Sequence, residues 1–205
     1  LAVAVGVAAA LAAARTGRPW AYGLAKVVAS LGFIAVAVAA GATGAGWSRW
    51  ALAALVLSGV GDAVLAVRSR GGFVAGLAAF LVAHAVYAVA FLMRGADAWP
   101  LVVAALALAL AAPLGWRALA AHVPRALRRA VLAYLVVVSA MVATGLAVGV
   151  THGAPGLALG AVLVVGSDLA VARERFGRPG FVNKVVGLPA YYLGQLLIAA
   201  SLGGG

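Results

Sequence analysis

Residues 155–175 read PGLALGAVLVVGSDLAVARER, an apolar run that holds one aspartate and ends in two arginines. About 20 mostly apolar residues are what an α-helix needs to cross the hydrocarbon core of a bilayer. Seven further stretches have this character, although the first is short. The sequence therefore predicts an all-α membrane bundle of eight spans, at residues 1–14, 21–41, 50–67, 73–93, 98–115, 129–150, 155–172 and 185–202.

The composition excludes several other classes of protein. Of the 205 residues, 66% are hydrophobic and 9% are charged, whereas a soluble domain carries about 25% charged residues. A soluble globular domain, a disordered chain and a nucleic-acid-binding module are therefore excluded. The absence of cysteine excludes a disulfide framework and a cysteine-ligated metal. Because the connections are short, we expect a single transmembrane domain over residues 1–205, without a cofactor or metal.

Basic residues predict the orientation of the spans, because loops rich in arginine and lysine stay in the cytoplasm. The even-numbered loops hold only Arg49 and Arg94. We therefore expect both termini on the non-cytoplasmic side of a membrane, which we take to be a bacterial cytoplasmic membrane. The odd-numbered loops hold twelve basic residues, namely Arg15, Arg18, Arg68, Arg70, Arg117, Arg125, Arg128, Arg129, Arg173, Arg175, Arg178 and Lys184.

The first apolar stretch has an alternative interpretation. Residues 1–14 could form the core of a signal peptide with Ala12-Ala13-Ala14 as its cleavage site, or follow a trimmed N-terminus. Cleavage at that site would leave Arg15 and Arg18 outside the cell, against the pattern of the other loops. We therefore favour a membrane span.

Two parts of the chain resemble each other. Residues 60–70 read VGDAVLAVRSR and residues 165–175 read VGSDLAVARER, and each is followed by a Gly-Phe pair. The similarity predicts a parallel internal repeat of residues 50–93 and 155–202. Alignment of Phe73 with Phe181 sets His84 opposite Tyr192 and Tyr87 opposite Gln195. Coincidence in a chain rich in alanine, valine and glycine is the alternative.

Ionisable residues within the predicted spans are the candidates for a functional site. Each costs about 2.5–3.5 kcal/mol at the centre of a membrane helix. Four qualify, Lys26, Asp62, His84 and Asp168, whereas the other acids, Asp97 and Glu174, are assigned to loops. These four lie at a similar depth, in the cytoplasmic half of the bundle, as do four polar residues, Tyr87, Tyr191, Tyr192 and Gln195.

Structural roles are open for the same residues. Asp62 and Asp168 could join helices by pairing with Lys26 or Arg68, and Lys26 could extend to the lipid headgroups. His84 and Gln195 could bridge helices, and the tyrosines could belong to an interfacial belt. Glycines near the aspartates are expected to allow close helix packing, at Gly59, Gly61 and Gly166.

Several motifs taken together resemble one family. These are Gly61-Asp62 with Leu65, Gly76-Leu77-x-x-Phe80-x-x-x-His84-x-x-Tyr87, Ser167-Asp168 with Arg175-Phe176, and Tyr191-Tyr192-x-x-Gln195-x-Leu197-Ile198. In this order they resemble the YhhN-like family of eight-span membrane proteins, over roughly residues 55–95 and 160–200. Lys26 is similar to an early lysine of that family, although Val27 stands where a proline is expected.

The resemblance implies an activity, because animal members of the family are lysoplasmalogenases. It implies hydrolysis of the vinyl ether bond of a lysophospholipid, with Asp62 and Asp168 as the catalytic pair. Vinyl ethers are cleaved by acid, so a protonated carboxyl and a second carboxylate suit the reaction. The two could meet if spans 3 and 7 are neighbours.

Substrate binding would fall to the remaining polar residues of the spans. Lys26 would bind the lipid phosphate or hold one aspartate ionised. Others would line the pocket, namely His84, Tyr87, Tyr191, Tyr192 and Gln195. A small proton-coupled or lipid-coupled transporter and a non-catalytic lipid-binding protein are the alternatives, because buried Asp, Lys and His residues also occur in transporters.

Overall fold

The computed structural model describes residues 1–44, 46–67 and 69–203, and this part of the chain is helical without any strand. The prediction of an all-α fold is therefore confirmed. Two short 3-10 helices cover Arg125–Leu127 and Ser201–Gly203. The α-helices are α1 (Ala2–Arg15), α2 (Pro19–Ala39), α3 (Gly46–Ala66), α4 (Arg70–Arg94), α5 (Ala98–Ala120), α6 (Arg128–Thr151), α7 (Pro155–Phe176) and α8 (Phe181–Ala200).

Seven of these helices, α2 to α8, are long and apolar enough to cross a membrane. The chain is therefore a multi-pass membrane protein. Helix α1 has 14 residues and falls below the length of the other seven. It packs antiparallel to α2, because Val3 lies against Gly32 and Gly6 lies against Ala29.

Local sequence explains where the helices begin and end. Pro19 and Pro155 open α2 and α7, at the position where a helix needs no N–H donor. Ser69 caps α4, because its hydroxyl accepts a hydrogen bond of 2.9 Å from the Gly72 amide. Gly41 (φ 88°) and Gly95 (φ 87°) follow α2 and α4 in a backbone conformation that favours glycine.

Six helices form a closed ring in which each contacts the next. The order around the ring is α2, α3, α4, α6, α7 and α8, and α8 returns to α2. Helix α1 packs outside the ring against α2 and α8, and α5 packs outside against α6. In this order α3 and α7 are three places apart, so the two aspartate-bearing helices lie opposite one another and are not neighbours.

The helices are longer than the predicted spans, which corrects the assignment of most basic residues to loops. Of the basic residues in the described part of the chain, only Arg18 and Arg178 lie between helical segments. Arginine side chains can extend from a terminal turn to the membrane surface, so the helix continues past the hydrocarbon. Arg68 lies outside the described residues, as does the side chain of Arg70.

Glycines allow close packing at some of the predicted positions. A Cβ atom at Gly61 would lie 2.7 Å from the ring of Phe80 in α4. A Cβ atom at Gly59 would make only ordinary contacts, at 3.4 Å. A Cβ atom at Gly166 would meet nothing within 4 Å, so the expectation of close packing at Gly166 was wrong. Glycines allow close packing of α7 against α8 instead at Gly160 and Gly194, where each Cβ would lie 2.8 Å from the other residue's carbonyl oxygen.

Candidate active site

One cavity of about 340 Å³ lies at one end of the bundle, lined by all six ring helices and by α5. Its lining comes from the first turns of α2, α4, α6 and α8 and from the last turns of α3, α5 and α7. Because successive helices run in opposite directions, these segments lie at the same end. Most lining side chains are apolar, and the two membrane aspartates, Asp62 and Asp168, face this single cavity.

Asp62 is held by three side chains and is 1% exposed. The ammonium of Lys26 lies 2.7 Å from Oδ1 of Asp62. Oδ2 accepts hydrogen bonds from the hydroxyls of Ser30 at 2.7 Å and of Tyr192 at 3.2 Å. The Tyr192 hydroxyl also lies 3.1 Å from the carbonyl oxygen of Lys26. Asp62 is therefore an ion-paired carboxylate whose oxygens accept from fixed donors on α2 and α8.

The neighbours of the Asp168 carboxyl are a tyrosine and a histidine. Its Oδ2 accepts a hydrogen bond of 3.0 Å from the hydroxyl of Tyr134 on α6. The Nε2 atom of His84 on α4 lies 3.5 Å from the same oxygen. The Asp168 side chain is 21% exposed, against 2% for Asp62. Asp168 is thus the more accessible of the two carboxyls, and it forms no ion pair with a lysine or arginine of the described part of the chain.

The His84 ring is oriented by the backbone of its own helix. Its Nδ1 lies 2.6 Å from the carbonyl oxygen of Phe80, which can only accept, so Nδ1 carries a hydrogen. Nε2 then points at Asp168 and has no hydrogen-bond partner within the described residues. This orientation directs Nε2 toward the Asp168 carboxyl.

The structure divides the predicted site residues into two groups. Lys26, Asp62, Asp168 and Tyr191 line the cavity. The Tyr191 hydroxyl lies near Asp62, yet it makes no hydrogen bond within the described residues. The second group lies behind the lining and supports it, namely His84, Tyr87, Tyr192 and Gln195.

Tyr87 and Gln195 form a pair of their own. The Tyr87 hydroxyl donates a hydrogen bond of 2.6 Å to Oε1 of Gln195, and both side chains are buried. The Tyr87 ring stacks on Phe91, with centroids 5.7 Å apart. Neither residue of the pair lines the cavity, so the pair joins α4 to α8 and does not reach the space that a ligand would fill.

Sequence reasoning missed two residues that contact the aspartates, Ser30 and Tyr134. Ser30 follows Lys26 by four residues, so both side chains lie on one face of α2, and this spacing could have identified it. Tyr134 lies in the first turns of α6, at the depth of the other polar residues. Its depth within the span was the available signal, but tyrosines near helix ends are also common at membrane interfaces.

Charged side chains surround the mouth of the cavity, at the junction of α7 and α8. Glu174 belongs to the last turn of α7 and lines the cavity, which corrects its assignment to a loop. Its carboxylate accepts from the Gly180 amide at 2.7 Å, Asn183 Nδ2 at 2.8 Å and Lys184 Nζ at 2.5 Å. Lys184 is therefore neutralised where it lies, as Lys26 is by Asp62.

The chain is similar in sequence to curated proteins named lysoplasmalogenase. Lysoplasmalogenase TMEM86B of Sus scrofa is 34% identical over 160 residues, which cover 78% of this chain and 66% of the relative. Human TMEM86B is 35% identical over 157 residues, with 76% and 64% covered. Lysoplasmalogenase TMEM86A of Bos taurus is 32% identical over 154 residues, with 72% and 62% covered.

The match thus spans slightly less than two thirds of the length of these relatives. No solved structure matches the chain. The model of the YhhN family matches residues 21–202. This range contains both membrane aspartates and all seven long helices, apart from the first two residues of α2. The chain therefore belongs to the YhhN family.

Proposed function

We propose that this protein hydrolyses the vinyl ether bond of lysoplasmalogen-type lysophospholipids to a fatty aldehyde and a glycerophospho-alcohol. The observation that carries the proposal is the pair of carboxyls, Asp62 and Asp168, in one largely apolar cavity within the membrane. The relatives named lysoplasmalogenase support the same chemistry. An apolar cavity suits an alkenyl chain, and carboxyls suit a reaction that needs acid.

Asp62 is assigned the role of the fixed anion. Its oxygens accept from Ser30 and Tyr192 and face the ammonium of Lys26 at 2.7 Å, so it is ionised and acts only as an acceptor. A fixed carboxylate beside the reacting carbon stabilises the oxocarbenium ion and orients the attacking water. Lys26 is then a positioning residue for Asp62, the second of the two roles considered for it.

Asp168 is assigned the role of proton donor. Among the described residues Asp168 forms no ion pair with a lysine or arginine, so no such cation holds it in the ionised form as Lys26 holds Asp62. His84 Nε2 lies 3.5 Å from the carboxyl oxygen Oδ2, and Tyr134 donates to the same oxygen and orients the carboxyl group. Two carboxyls in different surroundings can thus divide the acid role and the anion role between them.

The reaction balances with one water molecule. The Asp168 proton adds to the β-carbon of the vinyl ether, and the electron pair of the double bond leaves an oxocarbenium ion. Water adds to the α-carbon and gives its proton to the Asp168 carboxylate. The hemiacetal then collapses, its hydroxyl proton passes to the glycerol oxygen, and the bond between that oxygen and the α-carbon breaks.

The position of the cavity favours hydrolysis over transport. Its described lining comes from one end of the bundle, and the opposite ends of the helices contribute none of it. A transporter would need a passage that reaches both faces. We further propose that α1 completes eight spans, with both termini outside a bacterial cytoplasmic membrane, since the cavity end is the end rich in arginine.

Purified protein in nonionic detergent tests the proposal, with lysoplasmenylethanolamine as substrate and aldehyde release as the measurement. Wild type and Asp97→Asn should release aldehyde, because Asp97 is exposed at the start of α5. The double variant Asp62→Asn/Asp168→Asn should release none. A folded wild type without aldehyde release, or a double variant as active as wild type, would contradict the proposal.

We also infer that the bundle arose by duplication, and three contacts support it. The alignment of residues 50–93 with 155–202 pairs His84 with Tyr192, and these approach Asp168 and Asp62 respectively. It also pairs Tyr87 with Gln195, which bond to each other, as residues beside a two-fold axis would. An experimental structure tests this, because superposing the two segments must bring α3 onto α7 and α4 onto α8, with Asp62 and Asp168 within one helical turn of each other.

A further inference from the structure

The mouth of the cavity holds a cation without an acidic partner. Of the side chains that the structure describes, three cationic ones line the cavity, namely Lys26, Arg175 and Lys184. Lys26 is paired with Asp62, and Lys184 is paired with Glu174. All four acidic residues of the chain lie in the described part, and none of them forms an ion pair with Arg175. Arg175 is thus the cavity cation whose charge is not neutralised by a carboxylate.

Arg175 is exposed at the end of α7, where aromatic packing positions its side chain at the edge of the cavity. Its guanidinium lies over the ring of Phe73, 4.3 Å from the centroid. Phe73 in turn contacts Phe176 edge to face, with centroids 6.3 Å apart. A guanidinium stacked through its face keeps its N–H groups directed outward along its edge. Arg175 therefore presents oriented donors and a positive charge at the mouth.

The spacing between Arg175 and Asp168 matches the shape of the proposed substrate. The two residues are seven positions apart on α7, so they lie two turns apart on one face, at a rise of about 10 Å. In a lysoplasmalogen, the three carbons of glycerol connect the ether oxygen to the phosphate. A lipid whose vinyl ether lies at Asp168 therefore directs its phosphate toward the end of α7, where Arg175 lies.

We propose that Arg175 binds the phosphate of the lysophospholipid, so that the glycerophosphate occupies the mouth of the cavity and the alkenyl chain its interior. This inference rests on the proposed function for the identity of the lipid. Arginine suits the role because its planar fork can donate two parallel hydrogen bonds to phosphate oxygens. It also assigns the phosphate to a cation other than Lys26, whose ammonium is already paired.

Binding of an uncleavable ligand tests the proposal independently of turnover. The probe is a 1-alkyl lysophosphoethanolamine in nonionic detergent, so that no other phosphate lipid competes, with the change in tryptophan fluorescence as the signal. Trp116 lines the cavity and provides a reporter. Arg175→Ala should raise Kd by about tenfold to a hundredfold, the range for hydrogen bonds to a charged group. Arg175→Lys should raise it less.

Two controls separate phosphate binding from a structural role. Arg173→Ala removes an exposed arginine of the same turn that does not line the cavity, and its Kd should equal that of wild type. The phosphate-free ligand 1-alkylglycerol should bind wild type and Arg175→Ala equally. Equal Kd values of Arg175→Ala and wild type for the phosphate ligand, or an equal loss for alkylglycerol, would overturn the proposal.

The activity assay distinguishes this proposal from the proposed function. If wild type binds the alkyl lysophosphoethanolamine through Arg175 but releases no aldehyde from lysoplasmenylethanolamine, the hydrolase proposal fails and the phosphate site stands. If wild type releases aldehyde and Arg175→Ala binds and turns over substrate normally, the phosphate site fails and the hydrolase proposal stands.

Discussion

The Asp62 and Asp168 sites occupy corresponding places in the ring of helices but surround their carboxyls differently. Asp62 on α3 is contacted from α2 and α8, and Asp168 on α7 is contacted from α6 and α4. The helix before each aspartate supplies Lys26 in one site and Tyr134 in the other. One arrangement of helices thus produces a fixed ion pair with lysine at one wall of the cavity and, at the other, a carboxyl that pairs with no lysine or arginine within the described residues.

The difference teaches how a bundle with two membrane carboxyls can give them separate tasks. A buried carboxylate with a paired ammonium and two hydroxyl donors keeps its charge, because removing any partner leaves an unsatisfied group. A carboxyl beside a histidine and a tyrosine can gain a proton without leaving a buried lysine or arginine unpaired. The comparison therefore predicts different consequences for equivalent substitutions.

The largest effect on activity is expected from Asp168→Asn. Removing a general acid lowers kcat by about 10²- to 10⁴-fold, and the remaining reaction should draw its proton from hydronium. The residual rate should therefore increase tenfold for each unit by which the pH falls. Aldehyde release between pH 5 and 8 measures this, with Asp97→Asn as the control variant. A residual rate independent of pH would contradict the role of Asp168 as acid.

The largest effect on stability is expected from Asp62→Asn. This change leaves the ammonium of Lys26 buried without its partner, which costs about 3–5 kcal/mol of unfolding free energy. Asp168→Asn should lower stability much less, because no cation depends on it. Reversible unfolding in mixed micelles measures both variants, and equal losses would break the comparison between the two sites.

A second substitution sharpens the stability result. The double variant Lys26→Met/Asp62→Asn removes the unpaired ammonium, so it should recover most of the stability that Asp62→Asn loses. It should not recover aldehyde release, because the anion is still missing. Recovery of activity together with stability would show that Asp62 has a structural role alone.

A smaller effect is expected from the hydroxyls that orient the two carboxyls. Tyr134→Phe removes the one hydroxyl that Asp168 accepts from, and a loss of about 1.4 kcal/mol in the transition state lowers kcat about tenfold. Tyr192→Phe leaves Asp62 with Lys26 and Ser30, so its effect on kcat should be smaller. Steady-state kinetics compares the pair, and a larger effect at Tyr192 would reverse the assignment of the two roles.

The helical fold could be predicted from sequence because apolar length alone identifies helices that cross a membrane. The helix boundaries could not be predicted, because a basic residue marks the end of the hydrophobic segment while the helix itself continues. Arg117, Arg173 and Lys184 lie on helical turns for this reason. The neighbours of each helix could not be predicted either. From the sequence, the two aspartates were expected to meet only if spans 3 and 7 are neighbours. In the structure these helices are not neighbours, and both aspartates line one cavity.

The candidate site was predictable where a residue is costly in a membrane. Asp62, Asp168, Lys26 and His84 are ionisable, so burial marks them in the sequence. Ser30 and Tyr134 carry no charge and are common in spans, so only the folded chain identifies them as partners of the aspartates. Which carboxyl acquires the lysine depends on how α2 and α3 pack, and no pattern in the sequence encodes it.

The smallest effect on activity is expected from Tyr87→Phe, which lies between the two sites. Losing the hydrogen bond of 2.6 Å leaves Oε1 of Gln195 buried without its donor, at a cost of about 1–3 kcal/mol in unfolding free energy. Since neither residue lines the cavity, kcat and KM should stay near the wild-type values.

The double variant Tyr87→Phe/Gln195→Leu removes both polar partners, so it should be more stable than Tyr87→Phe alone. Unfolding and aldehyde release measured on the same samples decide whether the pair only joins α4 to α8 or also takes part in catalysis. A fall of tenfold or more in kcat with unchanged stability would place the pair within the catalytic machinery. The distinction between the structural Tyr87–Gln195 contact and the two aspartate sites would then no longer hold, because the polar groups of α4 and α8 would act on the substrate together.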